Sequence, residues 1–182
     1  MRFQPQHIIR YFESYKQHLQ YVAIAHTPFR AYAASETQIE NMKRTAQDSC
    51  RHAVNCFAKS LYPTHGNLVA RKPELYRPLT LATVEGARPT ANPSLTIHYN
   101  IFLGNIPVYY EQNQVLGLFR QAWHVKAGLS DNIRIYTITD ENRRQWIGYC
   151  LKETGISRQN LLGEYGTWDI VNSYIPHQAL AD

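Results

Sequence analysis

A chain of 182 residues with 44% hydrophobic and only 18% charged side chains can bury a core and is too apolar to stay unfolded. It contains no run of about 18 apolar residues, which argues against a membrane-spanning helix, and the start Met1-Arg2-Phe3-Gln4-Pro5 leads into mixed polar sequence without the apolar core of a signal peptide. The net charge of +5 permits a polyanionic partner, thirteen tyrosines offer rings that stack on bases or act as nucleophiles, and three cysteines (Cys50, Cys56, Cys150) suit a reducing, cytoplasmic compartment better than a disulfide framework.

Gln6 to Gln20 carries Ile8, Ile9, Phe12, Tyr15 and Leu19 at helical spacing, which predicts an amphipathic N-terminal helix over residues 6–20. Tyr21 to Ala25 is a short apolar run suited to a buried strand, ending in His26-Thr27 before Pro28 stops it. Ser35 followed by Glu36 and Gln38 caps a helix that can run to about Leu61, with Ile39, Met42, Ala46, Cys50, Ala53, Val54 and Phe57 as its inner stripe. After a loop marked by Pro63, Gly66 and Asn67, residues Arg77 to Glu85 and Leu95 to Leu103 read as two strands of a hairpin around a proline-containing turn. Helical spacing returns from Gln112 to Gly128, Asp131 to Thr139 alternates as a strand, and Asp140-Glu141-Asn142 starts a helix that reaches Lys152 or Glu153 before Gly155. The tail, residues 156–182, holds Leu161, Leu162, Tyr165 and Trp168 and is expected to pack back loosely.

These elements predict one α+β domain over residues 1–182, with its core in residues 21–155. The expected architecture is a mainly antiparallel four- to five-stranded sheet in RRM-like β-α-β-β-α-β-α order, with helices on one face and the other face open to a ligand.

Three groups of residues carry possible chemistry. His98 and Asn100 share one face of their strand roughly 7 Å apart, while Ile97, Tyr99 and Ile101 point the other way into a core. Such a pair fits either a solvated sheet face or metal ligands. Glu85 closes the hairpin and joins their face if it lies opposite an even-numbered residue such as Thr96. A carboxylate, an imidazole and an amide oxygen together suit Mg²⁺ or Mn²⁺. On the last helix Trp146, Ile147, Cys150 and Leu151 form an apolar arc, and Tyr149 falls outside it beside Gln145 and Lys152. That Tyr-x-x-Lys pair is either an amphipathic edge covered by a lysine or a phenol whose ionised form the ammonium favours. A zinc site from Cys50, His52 and Cys56 is disfavoured, because Cys50 and His52 face different ways on one helix.

His98-Tyr99-Asn100 on a strand, followed by Tyr149-Cys150-Leu151-Lys152-Glu153 on a helix, resembles the single-tyrosine HUH endonucleases. These are the Rep-type initiators of rolling-circle replication in plasmids, phages and small single-stranded DNA viruses. The resemblance spans roughly residues 20–155, with Tyr21 to Thr27 in place of the first strand motif, and Asn100 stands where the second histidine is usual. It implies that Glu85, His98 and Asn100 hold Mg²⁺ or Mn²⁺. Tyr149 would attack single-stranded origin DNA, linear or stem-loop, to leave a 5′-phosphotyrosine and a free 3′-hydroxyl, and Lys152 would position the phosphate or the phenol. His26, Arg120, Lys126, Arg134, Arg143 and Arg144 become candidate DNA contacts, and a separate helicase of the host or the mobile element becomes an expected partner. Alternatives are a single-tyrosine transposase, in which a glutamine ligand usually replaces this lysine, and a non-catalytic single-stranded nucleic-acid-binding domain. A conjugative relaxase would need its tyrosine before the histidine strand, where Tyr11 and Tyr15 lie in no comparable motif.

Overall fold

The structure, a computed structural model, describes residues 5–155 and 167–176. Five strands form one sheet: β1 (Leu19–His26), β2 (Leu79–Glu85), β3 (His98–Gly104), β4 (Ile133–Thr137) and β5 (Trp168–Tyr174). Their spatial order is β4-β1-β3-β2-β5, and every neighbouring pair is antiparallel. The helices are α1 (Pro5–Ser14), α2 (Glu36–Leu61), the single turn α3 (Pro73–Tyr76), α4 (Gln112–Arg120) and α5 (Arg143–Cys150).

Alternation along the strands sends side chains into two separate cores. Ala23, Ala25, Ala82, Val84, Tyr99, Ile101 and Leu103 pack against Cys50, Val54 and Phe57 of α2 and Val115 and Phe119 of α4. On the opposite face Val22, Leu79, Leu81 and Phe102 pack against Ile8 and Phe12 of α1 and Ile147 and Cys150 of α5. The expectation of helices on one face is therefore corrected. An amphipathic helix reports that it buries a stripe, not which side of a sheet receives it. Only the far end of the second face, where Glu85, His98 and His26 lie, is left for polar groups.

The long helix α2 follows the expectation closely. Ser35 Oγ accepts from the Gln38 backbone N–H, and the Gln38 side chain accepts from the Ser35 N–H in return, closing both ends of a capping box. Elsewhere tertiary bonds shorten the expected elements. The first helix stops at Ser14, and Lys16–His18 forms one 3-10 turn before β1 begins at Leu19. The Gln20 side chain is drawn off to bridge both backbone groups of Ile106. Gly104 permits this entry: a Cβ there would sit 2.1 Å from the His18 carbonyl oxygen.

The ladder of β3 begins at His98 and not at Leu95, because Ile97 bonds instead with Thr27 and Phe29 of the β1–α2 connection. α4 ends at Arg120 and widens into a π-helical turn, Gln121–Lys126, which brings the Trp123 indole N–H to the His26 carbonyl at 2.9 Å. α5 ends at Cys150, so Lys152 belongs to a 3-10 turn, Lys152–Gly155. The tail is the largest correction. Residues 168–174 form the fifth strand on the outer edge of β2, with Trp168 buried beside Tyr11 and Phe12. Leu161, Leu162 and Tyr165 lie outside the described residues.

Asp169 anchors that strand. It is fully buried, and its carboxylate accepts from Gln47 Nε2 (2.8 Å), Tyr99 Oη (3.0 Å), and the Asn172 backbone N–H and side-chain Nδ2 (3.2 and 2.6 Å). Both oxygens are thus satisfied by neutral donors from α2, β3 and β5.

Candidate functional site

Strand register builds the site. His98 lies opposite His26 on one side and opposite Glu85 on the other, so the three side chains form a row across β1, β3 and β2 on one face. Glu85 thus meets the condition set by the sequence, facing an even-numbered residue. One step along the same face Asn100 sits between Ile24 and Thr83. α5 and its 3-10 extension cross this face, and the Thr83 hydroxyl donates to the Cys150 carbonyl at 3.1 Å, pinning the end of the helix to β2.

Contacts within the row are short. His98 Nε2 lies 3.2 Å from Glu85 Oε2, and its Nδ1 lies 3.1 Å from the Thr96 carbonyl. Both neighbours are acceptors, so either ring nitrogen of His98 can donate there, and which does so depends on the tautomer. The His26 ring stacks on His98 with centroids 5.0 Å apart, and its Nδ1 is 2.6 Å from Thr96 Oγ1. Burial, the neighbouring His98 and Arg134 all hold His26 below the ordinary imidazole range, so it is neutral at pH 7.

Lys152 joins the row to Tyr149. Its Nζ lies 2.9 Å from Glu85 Oε2 and 3.6 Å from the centroid of the Tyr149 ring. The ammonium therefore caps the ring face, and the phenol remains exposed. Burial alone pushes the Glu85 carboxyl up, but the bonds from His98 and Lys152 and the Lys152 charge outweigh it, leaving the group below the usual carboxylate range. Lys152 responds in the opposite sense: burial lowers it, and Glu85 more than offsets this and raises it.

Two buried groups in this region remain incomplete. Glu85 Oε1 has no hydrogen-bond partner among the described residues, and neither does Asn100 Oδ1 or Nδ2, although both residues are fully buried. Unpaired buried polar atoms cost about 1–3 kcal/mol each, so a fold retains them for a reason. Two unused oxygens beside an imidazole nitrogen are the donor set of a hard cation such as Mg²⁺ or Mn²⁺. Among the described residues no three His, Cys, Asp or Glu side chains gather to hold a metal, so the candidate set is two such groups completed by an amide.

Beside the row lies a cleft of about 620 Å³ between α5 and the β1/β4 half of the sheet. It is lined by Tyr149 and His26, and by Arg134, which alternation places on the same face. The other expected DNA contacts are elsewhere. Arg143 and Arg144 line a separate hollow with Glu13 and Lys16, and Arg143 is paired with Asp140. Arg120 is paired with Asp131 at 2.9 Å on α4, and the exposed Lys126 follows it in the π turn. Cys56 and His52 approach to 3.6 Å, and Cys50 is buried in the core away from them.

Sequence reasoning missed Thr96, which contacts both imidazoles, while Trp146 packs against the second core as its place on the apolar arc implies. In the structure Ile147 and Cys150 are buried, whereas Trp146 lies half-buried against Tyr136 in the cleft wall. The alternation of Arg134 and Tyr136 was the available signal for that wall. No family model, curated protein or solved structure matches this chain.

Proposed function

We propose that this chain nicks and rejoins single-stranded DNA through a covalent 5′-phosphotyrosine at Tyr149, with Mg²⁺ or Mn²⁺ held by Glu85, His98 and Asn100. The observation that carries this reading is Lys152, whose ammonium touches both the Glu85 carboxylate and the Tyr149 ring and so joins a candidate cation site to a candidate nucleophile. The incomplete coordination of Glu85 and Asn100 supports it. A bound cation would supply Lewis-acid polarisation of the scissile phosphate.

The chain's own groups do the rest. The exposed Tyr149 oxygen attacks phosphorus in line, forming the tyrosyl O–P bond as the bond from phosphorus to the 3′ oxygen breaks. The phenol proton passes to solvent or to the neutral His26, which lines the same cleft. The departing 3′ oxygen takes up a proton and leaves as a hydroxyl. Lys152 moves from Glu85 towards the phosphate, neutralising charge as the phosphorane develops. Because the phosphotyrosine conserves a phosphodiester, the 3′-hydroxyl can reverse the step and rejoin strands. An initiator of rolling-circle replication needs both halves of this chemistry, and a separate helicase would then unwind the duplex.

The test is incubation with a random-sequence pool of single-stranded DNA and Mn²⁺, followed by a denaturing gel. A covalent adduct lost in Tyr149→Phe and in EDTA is expected; an adduct that persists in Tyr149→Phe rules out this nucleophile. A rival reading is strand binding without chemistry, in which the Lys152–Glu85 ion pair only holds the 3-10 turn on the sheet. It predicts retention of the strand with no adduct under any metal.

A further inference from the structure

We infer that the cleft between α5 and the β1/β4 half of the sheet is a pocket for one unstacked nucleotide of a single strand, with its base against Trp146 and its phosphate on Arg134. A volume of about 620 Å³ lies within the range of roughly 300–1,000 Å³ that holds small ligands. Its wall is aromatic: the Tyr136 and Trp146 rings lie 4.9 Å apart at 33°, and Tyr149 stands edge-on to Trp146 at 5.7 Å. Of the three tryptophans, Trp123 and Trp168 are buried, whereas Trp146 is half-buried and lines the cleft. A ring face at a cleft wall is the surface on which unstacked bases settle, whatever their sequence.

The polar lining fits the same occupant. The Asn142 amide is committed to the backbone of Thr139 and Thr137. The Asn132 and Gln145 side chains have no hydrogen-bond partner among the described residues, and each presents both a donor and an acceptor towards the cleft. Such amides read the edge of a base. Arg134 is equally uncommitted, with no ion pair among the described residues, and unlike the other unpaired arginines it lines this cleft. A free guanidinium beside an aromatic wall and two open amides matches the three parts of a nucleotide, namely phosphate, ring face and base edge.

The inference rests on the nicking reading in one respect: Tyr149 on the rim places this nucleotide next to the scissile phosphate. Its test is binding of labelled 15-nucleotide strands from a random-sequence pool, followed by an abasic scan of the strand the pool enriches. Tyr149→Phe protein without metal prevents turnover. One abasic position should weaken binding about tenfold, and that penalty should vanish in Trp146→Ala while persisting in Trp146→Phe. Gln145→Ala, a change at an exposed position, should alter base preference at the same position without changing the melting temperature. Arg134→Gln should weaken binding at every sequence alike and reduce its salt dependence.

Adduct formation is assayed in parallel on the same strands with Tyr149 intact. If adducts form but no abasic penalty depends on Trp146, the pocket is overturned and the nicking reading stands. If the Trp146-dependent penalty appears without any adduct, the pocket stands and the chemistry falls. If neither strands nor free mononucleotides bind, the pocket is overturned outright. Binding of mononucleotides without any preference for strands overturns the strand assignment.

Discussion

Glu85 and Asp169 are both fully buried carboxylates in neighbouring strands of one sheet, and the protein treats them oppositely. Asp169 faces α2 and receives four hydrogen bonds from neutral donors, spread over both oxygens. Glu85 faces α5 and concentrates its contacts on Oε2, where His98 and Lys152 converge, while Oε1 has no partner among the described residues. A carboxylate that only holds a fold together is completed locally, as Asp169 is. Glu85 instead has one oxygen, and Asn100 its side-chain amide, without a partner among the described residues, and the proposed cation site rests on that contrast.

The comparison breaks most sharply at Asp169. Asp169→Ala leaves the Tyr99 hydroxyl, the Gln47 amide and the Asn172 backbone N–H without an acceptor and should cost about 3–5 kcal/mol in urea unfolding. Adduct formation should fall only as far as the folded fraction falls. Glu85→Gln should cost less, about 1–2 kcal/mol, because the half-exposed Lys152 can return to water. It should abolish saturable Mn²⁺ binding measured by calorimetry. Asn100→Leu carries the opposite sign: removing an unpaired buried amide should stabilise the protein by about 1–2 kcal/mol while weakening Mn²⁺ binding. Stabilisation with Mn²⁺ binding unchanged would remove Asn100 from the ligand set.

The pH dependence follows from the two shifts. Glu85 is held below its ordinary value near 4.5, so its contribution is present above that pH and is lost as pH falls through the folded value. Lys152 is held above 10.5, so its contribution is present below that pH and is lost as pH rises through the folded value. The stability gap between wild type and Glu85→Gln should therefore be flat between about pH 5 and 10, closing as pH falls through the lowered Glu85 value and again as it rises through the raised Lys152 value. The smallest effect expected is at Lys152→Met. Removing the ammonium that competes for Glu85 should tighten Mn²⁺ binding by about twofold to fivefold, the equivalent of a partly exposed ion pair. Weaker Mn²⁺ binding in that variant would mean that Lys152 supports the site and does not compete for it.

Much of this was legible from periodicity. The strand carrying His98 and Asn100, its hairpin partner ending in Glu85, and the helix presenting Tyr149 all follow from local patterns, and alternation alone put His98 and Asn100 on one face. What periodicity could not supply was lateral order. That His26 flanks His98 depends on β1 lying beside β3, which no local pattern encodes. That Lys152 reaches Glu85 depends on α5 crossing the second face of the sheet. The fifth strand escaped notice because Trp168-Asp169-Ile170-Val171-Asn172 lacks clean alternation. Its pairing is irregular, and much of its anchoring comes from Asp169 and Ser173 side chains bonded to distant residues.

That late strand also bears on how the chain is made. β2 is buried at all seven positions and carries Glu85 at its end, yet its outer edge stays uncovered until residues 168–174 have left the ribosome. Through most of synthesis the growing chain therefore presents Leu79 to Val84 as an open apolar edge, the kind of template on which neighbouring chains add strands. A stop codon ahead of Trp168 should accordingly yield inclusion bodies and not merely a less stable protein, even though every residue of the Glu85–His98–Tyr149 region has by then been made.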